Sequence, residues 1–337
     1  MRNGLQRGKP RDAGDRQFID RQTDKTNIQM KITEMLRTSA SPFPSIEIVP
    51  PMNGMRKSDL LDAIRPFMEF APKYVNVTFH RDEYEFRQDT PGGGFTRHLV
   101  RNRISQVAVC AAVMGETGIE MVPHIICGGA TKDEIESQLY NFAFLGVQNF
   151  MALRGDALTG EKRFEPIAGG YNHANELVEG IRSFEAKTGA DLCIGVGAYP
   201  EKHFEAANIE TDIINLKRKV DAGADYIITQ MFFDNNVYYN FVDKCRAAGI
   251  SVPIIPGIKP LSTARQIELL PQSFSIDIPV ELTDAVQKAA SKEEAYRIGT
   301  DWAIAQCKDL LAHGAPAVHF YTMGKATNIV EIIRNCF

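Results

Sequence analysis

The sequence predicts a single-domain α/β fold, a closed (β/α)8 barrel of the TIM type, and three observations carry that prediction. A helix, a tight glycine turn, a short apolar strand and then polar residues follow one another from Asn208 to Asp234. The same step recurs where Leu145-Gly146 precedes Val147 to Leu153, where Ala248-Gly249 precedes Val252 to Ile255, and where His313-Gly314 precedes Ala317 to Tyr321. Further strands are readable at 45–49, 73–79, 120–126 and 192–199, which makes eight in all. Eight strands with intervening helices suit a closed parallel barrel. An open doubly wound sheet, which usually has fewer strands, is the second choice. In a barrel the chemistry belongs at the C-terminal strand ends.

Residues 1–29 mix Arg, Lys, Asp, Gln and Gly with almost no apolar periodicity, so a poorly ordered N-terminal extension is expected ahead of a barrel spanning 30–337. Their four aspartates argue against a mitochondrial presequence, and they hold no apolar core for a signal peptide. The first strand carries one charge, Glu47, and ends at Pro50-Pro51. Ser58 is placed to cap a helix running through Phe70. After the second strand comes a long polar loop with Pro91-Gly92-Gly93-Gly94, and then a helix expected from about Thr96 to Gly115. Thr131 and Glu134 form a capping box beyond the third strand. The fourth strand ends in Arg154-Gly155-Asp156, and a helix is expected from Ala174. The fifth runs into Tyr199-Pro200-Glu201-Lys202-His203. Ile213, Leu216, Val220 and Ala224 then make one buried helical stripe before the turn at Gly223. Beyond the seventh strand Ser262 is expected to cap a short helix, Pro279 to open a second segment, and Lys292 to Ala312 to form the long final helix.

Of 337 residues 44% are hydrophobic, enough for a substantial core, and the net charge of −4 gives no reason to expect nucleic acid or an anionic membrane surface. The longest apolar run, Val107 to Met114, is too short to cross a bilayer. Six scattered cysteines without a CxxC pair suggest reduced thiols in a cytosolic protein, and no metal site is expected.

Three groups of residues have chemical potential. Glu47 lies within an apolar strand, where burial would raise its pKa into the range useful to a general acid; a strand-end glutamate facing water or paired with a cation is an equal alternative. Arg154-Gly155-Asp156 offers a planar donor fork, a close backbone approach and an acceptor for an amino-pyrimidine edge, although a solvated loop pair would explain it too. Asp212, Asn215 and Lys219 share a helix face with Arg218 nearby, which suits a ribose and a diphosphate or simply a salt-bridged surface. His124 and His203 end strands three and five, where either a satisfied core residue or a ligand is possible. The chain holds neither a GxGxxG after a strand nor a GxxxxGK[ST], so a nucleotide would not be held in the Rossmann manner.

Taken together, IEIVPP at 46–51, VNVTF at 75–79, PHIIC at 123–127, ALRGD at 152–156, AYPEKH at 198–203 and NLKRKVDAGADYIITQMFFD at 215–234 resemble the methylenetetrahydrofolate reductases, and IIPGIKP at 254–260 and HFYTMGKA at 319–326 extend the likeness. The match is to the bacterial single-domain form, without the eukaryotic regulatory domain. The resemblance implies an FAD-dependent barrel in which NADH or NADPH reduces the flavin and 5,10-methylenetetrahydrofolate then takes the hydride, a ping-pong sequence yielding 5-methyltetrahydrofolate for methionine synthesis. It implies Glu47 as the acid that protonates N10, and Asp156 as the carboxylate that holds the pterin and tunes the flavin. Thr78, His124, Arg154, Gly155, Tyr199 and His203 match flavin-contacting positions. Asp212, Asn215, Arg218 and Lys219 match those holding the ribityl-diphosphate-adenosine part. Gln230, Gln266 and Lys325 match folate-binding positions. A cytoplasmic homo-oligomer is implied as well.

The sequence departs from the family at four places. Lys325 stands where arginine is common, Met231 replaces an aromatic beside the glutamine and is expected to alter stacking, His173 stands for a tyrosine, and the loop 80–95 is longer. Two other readings compete. One is a folate-binding barrel without redox activity. The other is a phosphate-binding lyase or aldolase, for which no strand-end lysine except Lys325 is placed to form a Schiff base.

Overall fold

Short runs of β-branched and apolar residues, most released from a preceding helix by a glycine turn, form eight parallel strands that close on themselves. A computed structural model describes residues 30–80, 83–88, 90–157, 163–322 and 327–337. The expected extension at 1–29 and Lys325 lie outside the described residues. The described residues hold ten strands: β1 (Phe43–Ile48), β2 (Tyr74–Val77), β3 (Glu83–Gln88), β4 (Phe95–Val100), β5 (Glu120–Ile126), β6 (Asn149–Leu153), β7 (Cys193–Ala198), β8 (Tyr226–Met231), β9 (Ile254–Ile258) and β10 (Ala317–Tyr321). Around the barrel the order is β1-β2-β5-β6-β7-β8-β9-β10, with β10 back against β1. This is the expected (β/α)8 barrel, so all eight C-terminal strand ends share one rim.

Two apolar layers hold it. Phe43, Tyr74, Val122, Met151, Cys193, Tyr226 and Ile255 pack together inside the barrel, and a larger cluster joins the outward strand faces to the helices. At the opposite end, the helix Ile32–Thr38 closes the barrel. Asn149 ties it down, its Oδ1 accepting from Ile32 N (2.9 Å) and its Nδ2 donating to Met30 O (3.1 Å) and Glu120 Oε1 (3.0 Å).

Other elements match or depart from the pattern. The Thr131–Glu134 capping box is present, with Glu134 N on Thr131 Oγ1 at 3.2 Å and Thr131 N on Glu134 Oε2 at 2.7 Å. The helices Ala174–Thr188, Val280–Gln287 and Lys292–Ala312 form where expected, but a further helix, Thr327–Cys336, follows the last strand. Ser58 is not a cap. The helix Lys57–Ile64 begins one residue earlier, and Pro66, with no N–H to give, turns its continuation into the 3₁₀ segment Arg65–Phe70. Ser262 does not cap either, because the next helix starts at Gln266.

The largest departure is at 83–100. In place of a loop and the start of a helix, β3 and β4 pair antiparallel from Glu83↔Val100 to Gln88↔Phe95, and the helix Gln106–Thr117 begins only after Ser105. Polar and apolar residues alternate from Glu83 to Arg87 ahead of a Pro-Gly turn, which is hairpin chemistry that the glycine run obscures. Its base is fastened to the segment after β1 by Asn53 N on Asn102 O (2.8 Å) and Ile104 N on Pro51 O (2.9 Å), so the hairpin stands beside the rim. Phe86 and Phe95 are two-thirds exposed on it.

Candidate active site

Strand alternation turns Ser45 and Glu47 of β1 inward. Glu47 is the last inward residue before Pro50, and only 13% of its side chain is exposed. Its Oε2 lies 3.6 Å from Nε2 of His124 on β5. Burial pushes the carboxyl up to about 8, against the pull of the Lys259 ammonium. Burial pulls His124 down to about 3, and His80 reinforces the shift. At neutral pH the pair therefore holds a protonated acid beside a neutral imidazole. Thr322 Oγ1 donates to Glu47 O (2.7 Å) and Tyr321 OH to Thr229 O (2.7 Å), which fixes the backbone on both sides. The alternative of a solvated Glu47 is set aside.

A second wall rises from β6, β7 and the helix Ile209–Asp221. Gly155 has φ +85°, and a Cβ there would sit 3.2 Å from the Ile126 side chain, so a residue with a side chain would be strained. Arg154 Nη1 pairs with Glu205 Oε2 at 2.5 Å, with the Phe164 ring 5.0 Å from its guanidinium. The Tyr199 and His203 rings meet edge to face at 4.6 Å. Asp212 Oδ2 accepts from His203 N (2.8 Å), which joins the helix to the loop after β7. Lys219 Nζ donates to Gly197 O (2.8 Å), and burial brings this ammonium down to about 8 despite the attraction of Asp212. Arg218, exposed, donates to Asn215 Oδ1 (3.0 Å). This wall combines two cations near one strand end with aromatic faces, an arrangement able to hold an anion and a flat ring.

Not every expected site residue joins the rim. Thr78 Oγ1 at the end of β2 is buried with no hydrogen-bond partner among the described residues, so a ligand donor or acceptor could satisfy it. Asp156 lies exposed just beyond β6. Gln230 Oε1 turns back to accept from Met231 N (3.0 Å). Gln266 spends its Oε1 on Ser262 N (2.6 Å) and Thr263 N (3.1 Å) at its own helix start, and no hydrogen bond or ion pair among the described residues links it to either wall. Met231 is 3% exposed and packs with Phe233, Leu261 and Leu270.

Lys259 is a residue that the sequence reading misses. It follows β9 directly, is 6% exposed and acts on Glu47. The lysine in IIPGIKP was the available signal, and it corrects the expectation that Lys325 alone stands at a strand end.

A model of the methylenetetrahydrofolate reductase family matches residues 31–336. The chain belongs to the methylenetetrahydrofolate reductase family. It is 32% identical over 283 residues to the 5,10-methylenetetrahydrofolate reductase of Escherichia coli, covering 84% of this chain and 86% of that one, in keeping with the bacterial type. It is 31% identical to methylenetetrahydrofolate reductase (NADH) 1 of Arabidopsis thaliana and 34% to methylenetetrahydrofolate reductase 2 of Saccharomyces cerevisiae, spanning about half the length of each (48% and 47%). Among solved structures, a Clostridium thermocellum protein described as binding two copies of 5-methyl-5,6,7,8-tetrahydrofolic acid superposes with TM-score 0.57, covering 90% of this chain and 96% of that one. At 14% identity that likeness supports the fold alone. Family membership, not the lack of a lysine, is what sets the lyase reading aside.

Proposed function

We propose that the chain catalyses flavin-dependent reduction of 5,10-methylenetetrahydrofolate to 5-methyltetrahydrofolate, with NADH or NADPH as reductant. The observation that carries this reading is Glu47: a carboxyl kept protonated near pH 7 at the rim of a barrel of this family. FAD, when bound, supplies the redox chemistry, taking up a hydride from the nicotinamide and releasing it to the folate. The residues present fit such a group. Thr78 and His124 hold buried polar atoms in want of partners, Gly155 allows a close approach, and Lys219 is a half-buried cation beside Arg154. Thr78, His124, Arg154, Gly155, Tyr199 and His203 would border the ring. Asp212, Asn215, Arg218 and Lys219 would hold the ribityl, diphosphate and adenosine parts.

Glu47 gives its proton to N10 of the folate: the carboxyl O–H breaks, N10–H forms, and the N10–methylene bond opens to the electrophilic iminium. The carboxylate left behind gains the attraction of Lys259, which stabilises charge only at that stage. Asp156 accepts from the amino-pyrimidine edge of the pterin, and Gln230 offers its amide to the same ring. Lys325 is proposed at the folate on resemblance alone. Gln266 would have to leave its helix start to reach it.

The test is direct. The purified protein should be yellow or become so with FAD, oxidise NADH or NADPH anaerobically, and then be reoxidised by methylenetetrahydrofolate. A folded protein that binds folate yet never oxidises a nicotinamide would instead be the non-redox folate-binding barrel.

A further inference from the structure

The hairpin beside the rim has one edge that no other described strand covers. β3 pairs with β4 alone among the described residues, and residues 85–88 are all exposed. A two-stranded hairpin is marginally stable in water, and an open edge presents a row of unpaired N–H and C=O groups. Such edges are commonly blocked by charge of one sign, most often lysine. Here Glu85-Phe86-Arg87 sets opposite charges on either side of an aromatic residue. Glu85 and Arg87 share one face, where Arg87 Nη2 donates to Glu85 Oε2 at 3.1 Å, and about half of each side chain stays exposed. Phe86 lies on the other face, opposite Arg97 of β4.

We propose that the β3 edge docks a second copy of this chain. Two β3 strands pair antiparallel about a two-fold axis at Phe86, which joins two hairpins into one four-stranded sheet. In that register Phe86 meets Phe86 of the second copy, and Glu85 meets its Arg87 twice over. Charge complementarity selects the register. An axis one residue away, at position 85 or 87, sets Glu85 against Glu85 or Arg87 against Arg87. A half-step shift turns the charged face of one strand onto the aromatic face of the other. The Glu85–Arg87 contact within one strand is thereby exchanged for two contacts across the axis, and opposed charges and aromatic pairs both stabilise a sheet. On the other face one row reads Arg97, Phe86, Phe86, Arg97, so a ring two-thirds exposed in one copy is covered between cations. The contact is isologous and closes with two copies.

This interface stands apart from the reductase reading, and its test uses the purified full chain without ligand. Sedimentation velocity measures self-association. Glu85→Arg sets arginines against each other and Arg87→Glu sets glutamates against each other. Each alone should weaken association by about 10-fold or more, since two attractive pairs become two repulsive ones. Mixed in equal amounts, the two variants are complementary again, and the affinity should return to that of the parent. Phe86→Cys should cross-link two copies on mild oxidation, because position 86 faces itself across the axis, whereas Phe95→Cys should not. A mixture no tighter than its components, or no cross-link in Phe86→Cys, would overturn the proposal whatever other face of the protein associates. A monomeric parent overturns it too, and if methylenetetrahydrofolate then shields the thiol of Phe86→Cys, the face is a substrate contact instead.

Discussion

Glu47 Oε2 faces His124 Nε2 across 3.6 Å, and neither group carries its ordinary charge at neutral pH. A glutamate opposite a histidine usually forms a charged pair. Here desolvation outweighs their attraction, and the proton stays on the carboxyl. The pair thus becomes a neutral acid able to donate once.

Replacing Glu47 by Gln should leave reduction of the bound flavin by NADH or NADPH intact, since that half-reaction needs no proton at N10. Reoxidation by methylenetetrahydrofolate should fall by roughly 10²- to 10⁴-fold, the usual contribution of a positioned acid. Stopped-flow absorbance separates the two. An equal loss in both would remove Glu47 from its assigned role.

The folate half-reaction should be flat through neutral pH and decline above about 8, as the carboxyl ionises. In Glu47→Gln that limb should vanish. Stability is linked with the same sign. The folded carboxyl titrates near 8 and the unfolded one near its ordinary 4.5, so the stabilisation is full below 4.5 and lost as pH rises toward 8. Urea midpoints of parent and variant, compared across that window, should converge or cross as pH increases.

Lys219→Met removes a half-buried cation while keeping most of its length. FAD affinity should drop by about 10- to 100-fold, in line with the loss of a charge-assisted hydrogen bond. Arg218→Ala, at an exposed position, should cost less. Fluorescence titration of the apoprotein ranks the two, and the reverse order would move the diphosphate off this helix.

Asn149→Ala should destabilise the fold by roughly 2–3 kcal/mol, because Ile32 N–H and the Glu120 carboxyl lose a buried partner together. The loss belongs to the closed end of the barrel, so flavin affinity should be unaffected at temperatures where the variant is folded. Chemical denaturation and a flavin titration check both halves.

The sequence by itself determined the barrel. Apolar strands recur eight times, most of them after a glycine turn, and this local, periodic signal survives whatever packs around it. It also determined the order of the motifs at the strand ends, hence the family. It was silent where two conformations share one composition: the Pro-Gly-Gly-Gly stretch reads as loop, and only the antiparallel pairing of Glu83–Gln88 with Phe95–Val100 makes it a hairpin.

Tertiary structure alone decided the electrostatics. From spacing, Glu47 was as readily a solvated strand end as a buried acid. Its state depends on burial and on Lys259, and its neighbour His124, like Lys259, lies far away in the chain and meets it only when the barrel closes. Desolvation is a property of the whole surrounding volume, and no local pattern of residues encodes it.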